Sequence, residues 1–229
     1  PLAMNSTEVQ EMIGLAREKK IFLMEAMWTR FLPVMDKIRE WLKDGAIGEP
    51  RMLKADFGFR APWEPSSRLL DPKLGGGALL DVGVYTIALS SMVFGGPPED
   101  LASQAHIGTT GVDEQSAMVF KYAHGQLASL QCAVRTHSPH VAYILGTEGS
   151  IQIPEFWHAT EATLSLDGKK HRVRRPFEGN GYEYEAMEAG RCLREGRLGS
   201  HLMPLSESLS IMETMDRVRQ AWGLKYPME

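Results

Sequence analysis

The stretch Gly75-Gly76-Gly77-Ala78-Leu79-Leu80-Asp81-Val82-Gly83-Val84-Tyr85 decides how the rest of the chain is read. Consecutive glycines let a backbone turn tightly and come close to another group. From Gly77 to Phe94 almost every residue is apolar, which predicts a helix buried on all sides. Such a helix needs a sheet to cover it, and the sequence that follows supplies one. Strands are predicted at 102–108, 116–122, 126–134, 140–146, 150–153, 163–166 and 170–174, with His124-Gly125 and Asp167-Gly168 as hairpin turns. Before the glycines, residues 51–60 alternate: Leu53, Ala55, Phe57 and Phe59 point one way, Lys54, Asp56 and Gly58 the other. Helices are predicted at 33–43, 182–194 and 204–222. Strands joined by short turns, with helices gathered around them, predict an α+β fold built on an antiparallel-rich open sheet with flanking helices.

The opening of the chain has a different pattern. Asn5 with Glu8 three residues on is a helix-capping pair, and Val9, Met12, Ile13 and Ala16 then form an amphipathic stripe. The apolar run 21–26 follows directly and is predicted to be a buried strand. A helix feeding a buried strand is half of a βαβ unit, whose strand needs parallel neighbours. Either that strand pairs elsewhere in the chain, or its partners lie upstream of Pro1.

Composition narrows the function classes. The 229 residues carry a formal net charge of −4, which gives no electrostatic footprint for nucleic acid or an anionic membrane. No apolar run is expected to span a bilayer and no secretory leader is read at the start. Cys132 and Cys192 are read as small buried hydrophobes of a cytoplasmic protein. His137 and His140 lack a third ligand at metal spacing, so no metal site is assigned. Lys169, Lys170, His171, Arg172, Arg174 and Arg175 form either an anion-binding patch or the solvated face of an edge hairpin; the second reading is preferred.

Asp81 and Tyr85 stand four residues apart, so both project from one side of the predicted helix. A carboxylate beside a phenol suits a hydroxyl substrate: Asp81 accepts from one O–H while Tyr85 handles the reacting proton. A free phenol titrates near 10, so a neighbouring positive charge is needed to make it a base at neutral pH. A buried helix with a satisfied tyrosine and aspartate would have the same spacing.

The Gly-Gly-Gly-x-x-x-Asp-x-Gly-x-Tyr pattern resembles the signature of the substrate domain in the glucose-fructose oxidoreductase/inositol dehydrogenase (Gfo/Idh/MocA) family, where many members carry His at the position of Tyr85. Arg30-Phe31-Leu32-Pro33 followed by Gly45-Ala46-Ile47-Gly48 is similar to the start of that domain, and Pro1-Leu2-Ala3 to the residues after the family's Glu-Lys pair. The run Met24-Glu25-Ala26-Met27-Trp28-Thr29-Arg30-Phe31, with Tyr85, looks closest to the dimeric dihydrodiol dehydrogenase branch, also credited with NADP-dependent D-xylose dehydrogenation.

The resemblance implies a division at 1–26, the end of a dinucleotide-binding Rossmann domain, and 27–229, a substrate and dimerisation domain. It implies NADP or NAD as cofactor, a small sugar or cyclic diol as substrate, and a homodimer through the open sheet face, which is expected to be a large apolar patch. Tyr85 and Asp81 become the catalytic pair, and the lysine expected just before Pro1 would favour the phenolate. Pro1, Trp28 and Arg30 are the cofactor-side candidates. Trp28 either lines the cleft or packs in the core, and Arg30 meets cofactor phosphate, fixes the hinge between domains or makes a surface ion pair. Phe57, Trp157 and Phe177, with Trp28, are candidates for an apolar wall against the substrate, the alternative being core packing. The rival reading is a non-catalytic binding or dimerisation module derived from the same family.

Overall fold

The computed structural model describes residues 1–229. Asn5 caps the first helix, α1 (Ser6–Lys19), by accepting from the backbone N–H of Glu8 at 2.9 Å, while the Glu8 carboxylate reaches back to the Met4 amide at 3.0 Å. Val9 and Ile13 are buried, but Met12 and Leu15 stay exposed. The run 21–26 is not a strand: it is extended, Leu23 donates its N–H to the carbonyl of Leu198, and Ile21 is exposed. A strand is defined by a neighbour to pair with, and residues 1–229 place none beside it.

The next helix, α2 (Pro33–Lys43), starts at Pro33, where a missing N–H costs nothing, and buries Val34, Met35, Ile38 and Trp41. Strand β1 (Pro50–Gly58) follows. After the glycine turn comes a π-helical turn, Leu79–Gly83, continuous with α3 (Val84–Phe94). The remaining strands are β2 (Asp100–Ile107), β3 (Asp113–Lys121), β4 (Leu127–Ala133), β5 (Ala142–Gly146), β6 (Gly149–Ile153), β7 (Glu161–Leu166) and β8 (Lys169–Arg174). Two helices, α4 (Glu183–Arg194) and α5 (Leu205–Ala221), end the chain.

All eight strands form one sheet in the order β2-β3-β4-β1-β5-β6-β7-β8. Every neighbouring pair is antiparallel except β1 with β4, which are parallel because the long α3 crossover returns the chain to the same edge. The segment Pro72–Phe94 is apolar and long enough by composition to cross a membrane, contrary to the expectation that no run would be, but most of it is buried inside the fold. Helix α3 packs on β1 and β4, α5 packs on β2 and α3, and α1 packs on α5.

The opposite face of the sheet is bare, and β3 shows why in its alternation. Ser116, Met118 and Phe120 are buried against the helices while Ala117, Val119 and Lys121 are exposed. This face is less apolar than expected. Exposed Met52, Val119, Leu127 and Tyr143 share it with Gln104, Gln115, Gln131, Lys54 and Ser129.

Candidate active site

The glycine turn is held from two distant parts of the chain. Asp113, the first residue of β3, is fully buried, and its Oδ2 accepts from the backbone N–H of Leu79 at 2.7 Å. A carboxylate borrowed from a strand thus serves as the cap that the helix start lacks. Gly77 has φ +120°, and a side chain there would overlap Asp113 Oδ1. Tyr226, near the C-terminus, donates its hydroxyl to the Gly76 carbonyl at 2.8 Å. Burial pushes the Asp113 carboxyl up to about 7, against the opposing pull of the Leu79, Asp113 and Ala78 amides.

Downstream of this anchor, the π-helical turn carries Asp81 and delivers Tyr85 to the first turn of α3. Single π turns inside α-helices often mark functional sites. Asp81 pairs with Arg68, and Tyr85 Oη accepts from the Trp28 indole N–H at 3.2 Å. The two side chains have separate partners but share one opening. With Pro1, Leu2, Glu25, Leu80 and Val84, among others, they line a cleft of about 430 Å³. Burial raises the Tyr85 phenol above its usual 10, the Trp28 hydrogen bond lowers it, and Tyr182, Asp81 and Glu185 raise it further. Because the phenol oxygen accepts from Trp28, its own proton remains available to donate.

Behind Tyr85 stands a continuous aromatic wall. Phe57, near the end of β1, meets Tyr85 edge-on at 5.5 Å and stacks on Trp157 at 4.8 Å with 12° between planes. Trp28 lies edge-on to Trp157 at 6.2 Å and 4.7 Å from Tyr182, and His158 links it at 5.7 Å to Phe177, a further 4.6 Å on. Trp28, Phe57, Trp157 and Phe177 are therefore brought together. Trp28 is buried with its N–H spent on Tyr85, so it acts on the cleft through the phenol.

Arg30 is not brought to the cleft. Its buried guanidinium meets Glu207 at 2.8 and 3.2 Å and the carbonyls of Ala88 and Leu202 at 3.0 and 3.3 Å. These bonds tie the Trp28–Phe31 turn to α3 and α5: the ion pair is buried rather than on the surface, and four of the five guanidinium donors are engaged within the chain.

Two functional positions escaped the sequence reading. Asp113 sits in a polar run that reads as a turn, and nothing local ties it to Leu79. His140, considered only as a metal ligand, has φ +60° and places Nε2 2.6 Å from the Gly58 carbonyl. A carbonyl only accepts, so Nε2 carries a proton, while Nδ1 lies 3.2 Å from both the Trp157 indole N–H and the Glu155 carboxylate. His140 therefore fixes the ring that stacks on Phe57.

A cleft holding a phenol with a free proton, edged by acids and backed by stacked rings, invites comparison with known proteins. The sequence profile described as the GFO/IDH/MocA C-terminal domain matches residues 35–152, more than half of the chain. The chain belongs to the GFO/IDH/MocA family. This member is 37% identical over 238 residues to the trans-1,2-dihydrobenzene-1,2-diol dehydrogenase of Mus musculus, an alignment that covers 100% of this chain and 70% of the relative. Its fold matches a 3-ketoreductase from Actinomadura kijaniata, solved with NADP and TDP-benzene, with TM-score 0.82 and 21% identity over 96% of this chain and 68% of that one. It also matches a levoglucosan dehydrogenase solved with NADH and levoglucosan, with TM-score 0.84 and 18% identity over 97% and 70%.

Proposed function

We propose that this family member is an NAD(P)-dependent oxidoreductase acting on a secondary or anomeric hydroxyl of a small sugar or cyclic diol. The observation that carries this reading is the Tyr85 phenol, which accepts from Trp28, packs on Phe57 and lines a cleft shared with Asp81. The rings pack behind Tyr85 and do not line the cleft, whose apolar walls are Met24, Met27, Leu80 and Val84; such walls beside a few polar groups suit a small ring-shaped molecule whose oxygens need orienting. The cleft also suits the nicotinamide end of the cofactor, since the buried Oε2 of Glu25 has no partner within the chain. Pro1 and Tyr85 would hold that end. When bound, the nicotinamide supplies the hydride acceptor or donor.

The chain's own residues manage the proton. In reduction Tyr85 donates its phenolic proton to the carbonyl oxygen that becomes the alcohol, while Trp28 stabilises the phenolate left behind. In oxidation the same phenol must first be deprotonated. Its raised pKa means that a positive charge brought near it would favour that direction. Asp81, oriented by Arg68, accepts from a neighbouring hydroxyl, and the apolar lining of Met24, Met27, Leu80 and Val84 limits water around it. No GxGxxG turn occurs in the 229 residues, so we propose that turnover with NADP or NAD needs a nucleotide-binding half joined at residues 1–26. The bare sheet face is proposed to pair with a second copy, and the two buried free cysteines fit a reducing cytoplasm.

The test is NADP reduction by D-xylose and by a trans-dihydrodiol, with Tyr85→Phe beside the wild type in full-length protein. We expect turnover with at least one substrate and a loss of at least ~100-fold in kcat for Tyr85→Phe, the usual scale of acid–base catalysis. Full activity in Tyr85→Phe sinks the assignment.

A further inference from the structure

Glu25 is the polar group in the cleft that the fold itself leaves without a partner. It lies on the extended run between α1 and the Trp28 turn and is only 4% exposed. Its Oε2 is buried with no hydrogen-bond partner, and the residue lines the same cleft as Tyr85 and Asp81. The other two oxygen-bearing side chains there are each engaged within the chain, Asp81 with Arg68 and Tyr85 with Trp28. A buried polar atom that gives up water without a replacement is costly, and nearly all such atoms in folded proteins find a partner. A carboxylate only accepts, so the partner that Glu25 lacks is a donor. Met24, Met27, Leu80 and Val84 give the cleft an apolar lining, where one directed hydrogen bond counts for more than it does in water.

We propose that Glu25 is a ligand-orienting residue whose carboxylate accepts a hydrogen bond from an O–H or N–H donor on the molecule that enters the Tyr85 cleft. The inference rests on the oxidoreductase reading and deepens it. With Tyr85 on the reacting oxygen, Glu25 takes a second donor, either the adjacent hydroxyl of a polyol or the carboxamide N–H of the nicotinamide. A mono-alcohol has no second hydroxyl, and a site built to bond a hydroxyl rejects ligands lacking it.

The experiment uses full-length protein as wild type, Glu25→Met and Glu25→Gln. Each is melted without ligand, then titrated with NADPH by tryptophan fluorescence and, with NADP present, with trans-1,2-cyclohexanediol and cyclohexanol by calorimetry. We expect Glu25→Met to melt at or above the wild-type temperature, because it removes an unpaired buried acid, and to bind one probe at least tenfold more weakly. A weaker diol arm, with the preference over cyclohexanol lost, assigns the donor to the substrate; a weaker NADPH arm assigns it to the carboxamide. A lower melting temperature with both affinities unchanged places the missing donor in the polypeptide and overturns the proposal, as do unchanged affinities at unchanged stability. Should Glu25→Met fail to fold, the isosteric Glu25→Gln carries the same comparison. A wild type that binds neither NADPH nor diol overturns the oxidoreductase reading itself, whereas equal binding by wild type and variants removes only the role of Glu25.

Discussion

Replacing Gly77 with alanine tests whether the site is anchored as described. Gly77 has φ +120°, a conformation that costs an L-residue roughly 1–2 kcal/mol. The added methyl would also overlap Asp113 Oδ1 and push away the carboxylate that caps Leu79. Losing a cap costs about 1–2 kcal/mol more. The sum, roughly 2–4 kcal/mol, lowers the melting temperature by about 4–16 °C at the 2–4 °C per kcal/mol usual for a chain of this size. Thermal melts at neutral pH measure it. In the Gly77→Ala/Asp113→Ala double variant the overlap is absent, so the two effects should fall short of additivity. A Gly77→Ala protein melting within about 1 °C of the wild type would refute the argument, because the backbone term alone predicts more.

Asp113 makes a second prediction. Its folded-state value, about 7, lies above the ordinary 3.8, so the folded protein holds this proton more tightly than the unfolded chain does. The stability it contributes is complete below about pH 4 and is lost as pH rises through 7, on the order of 4 kcal/mol across that window. Asp113→Asn should flatten this decline in melts from pH 4.5 to 8; parallel slopes in the two proteins would count against the buried acid. Trp28→Phe removes the only hydrogen bond made to Tyr85 by a side chain. It should move the tyrosinate absorbance titration to higher pH and cut turnover about tenfold, the worth of ~1.4 kcal/mol. An unmoved titration would mean that Trp28 does not tune the phenol.

How much of this was readable beforehand depends on the range of the forces involved. The eight strands and five helices follow from period and turn chemistry, which are local, and the predicted bounds of α2 agree with the observed Pro33–Lys43. Trp28, Phe57, Trp157 and Phe177 could be named as candidates for one wall, but their mutual packing, with Trp28 and Trp157 on short turns and Phe177 in a loop, is set by the fold. The run 21–26 was misread because its apolar pattern says that it wants a neighbour, not that one is present. Arg30 took its partner from Glu207, and Leu79 its cap from Asp113, 34 residues away. Pairings of that kind are created by packing and leave no trace in spacing. The π turn is equally silent, since one extra residue in an apolar run does not disturb its hydropathy.

That wide turn makes the register of α3 a chemical variable. An α-helix rotates by about 100° per residue, so deleting one residue from Leu79–Gly83 would leave a regular helix, yet swing everything after it through roughly that angle. The phenol would then leave the indole, with the hydrophobic composition nearly untouched. The angular phase of one buried helix would then matter to the proposed proton donor as much as the identity of the residue at position 85.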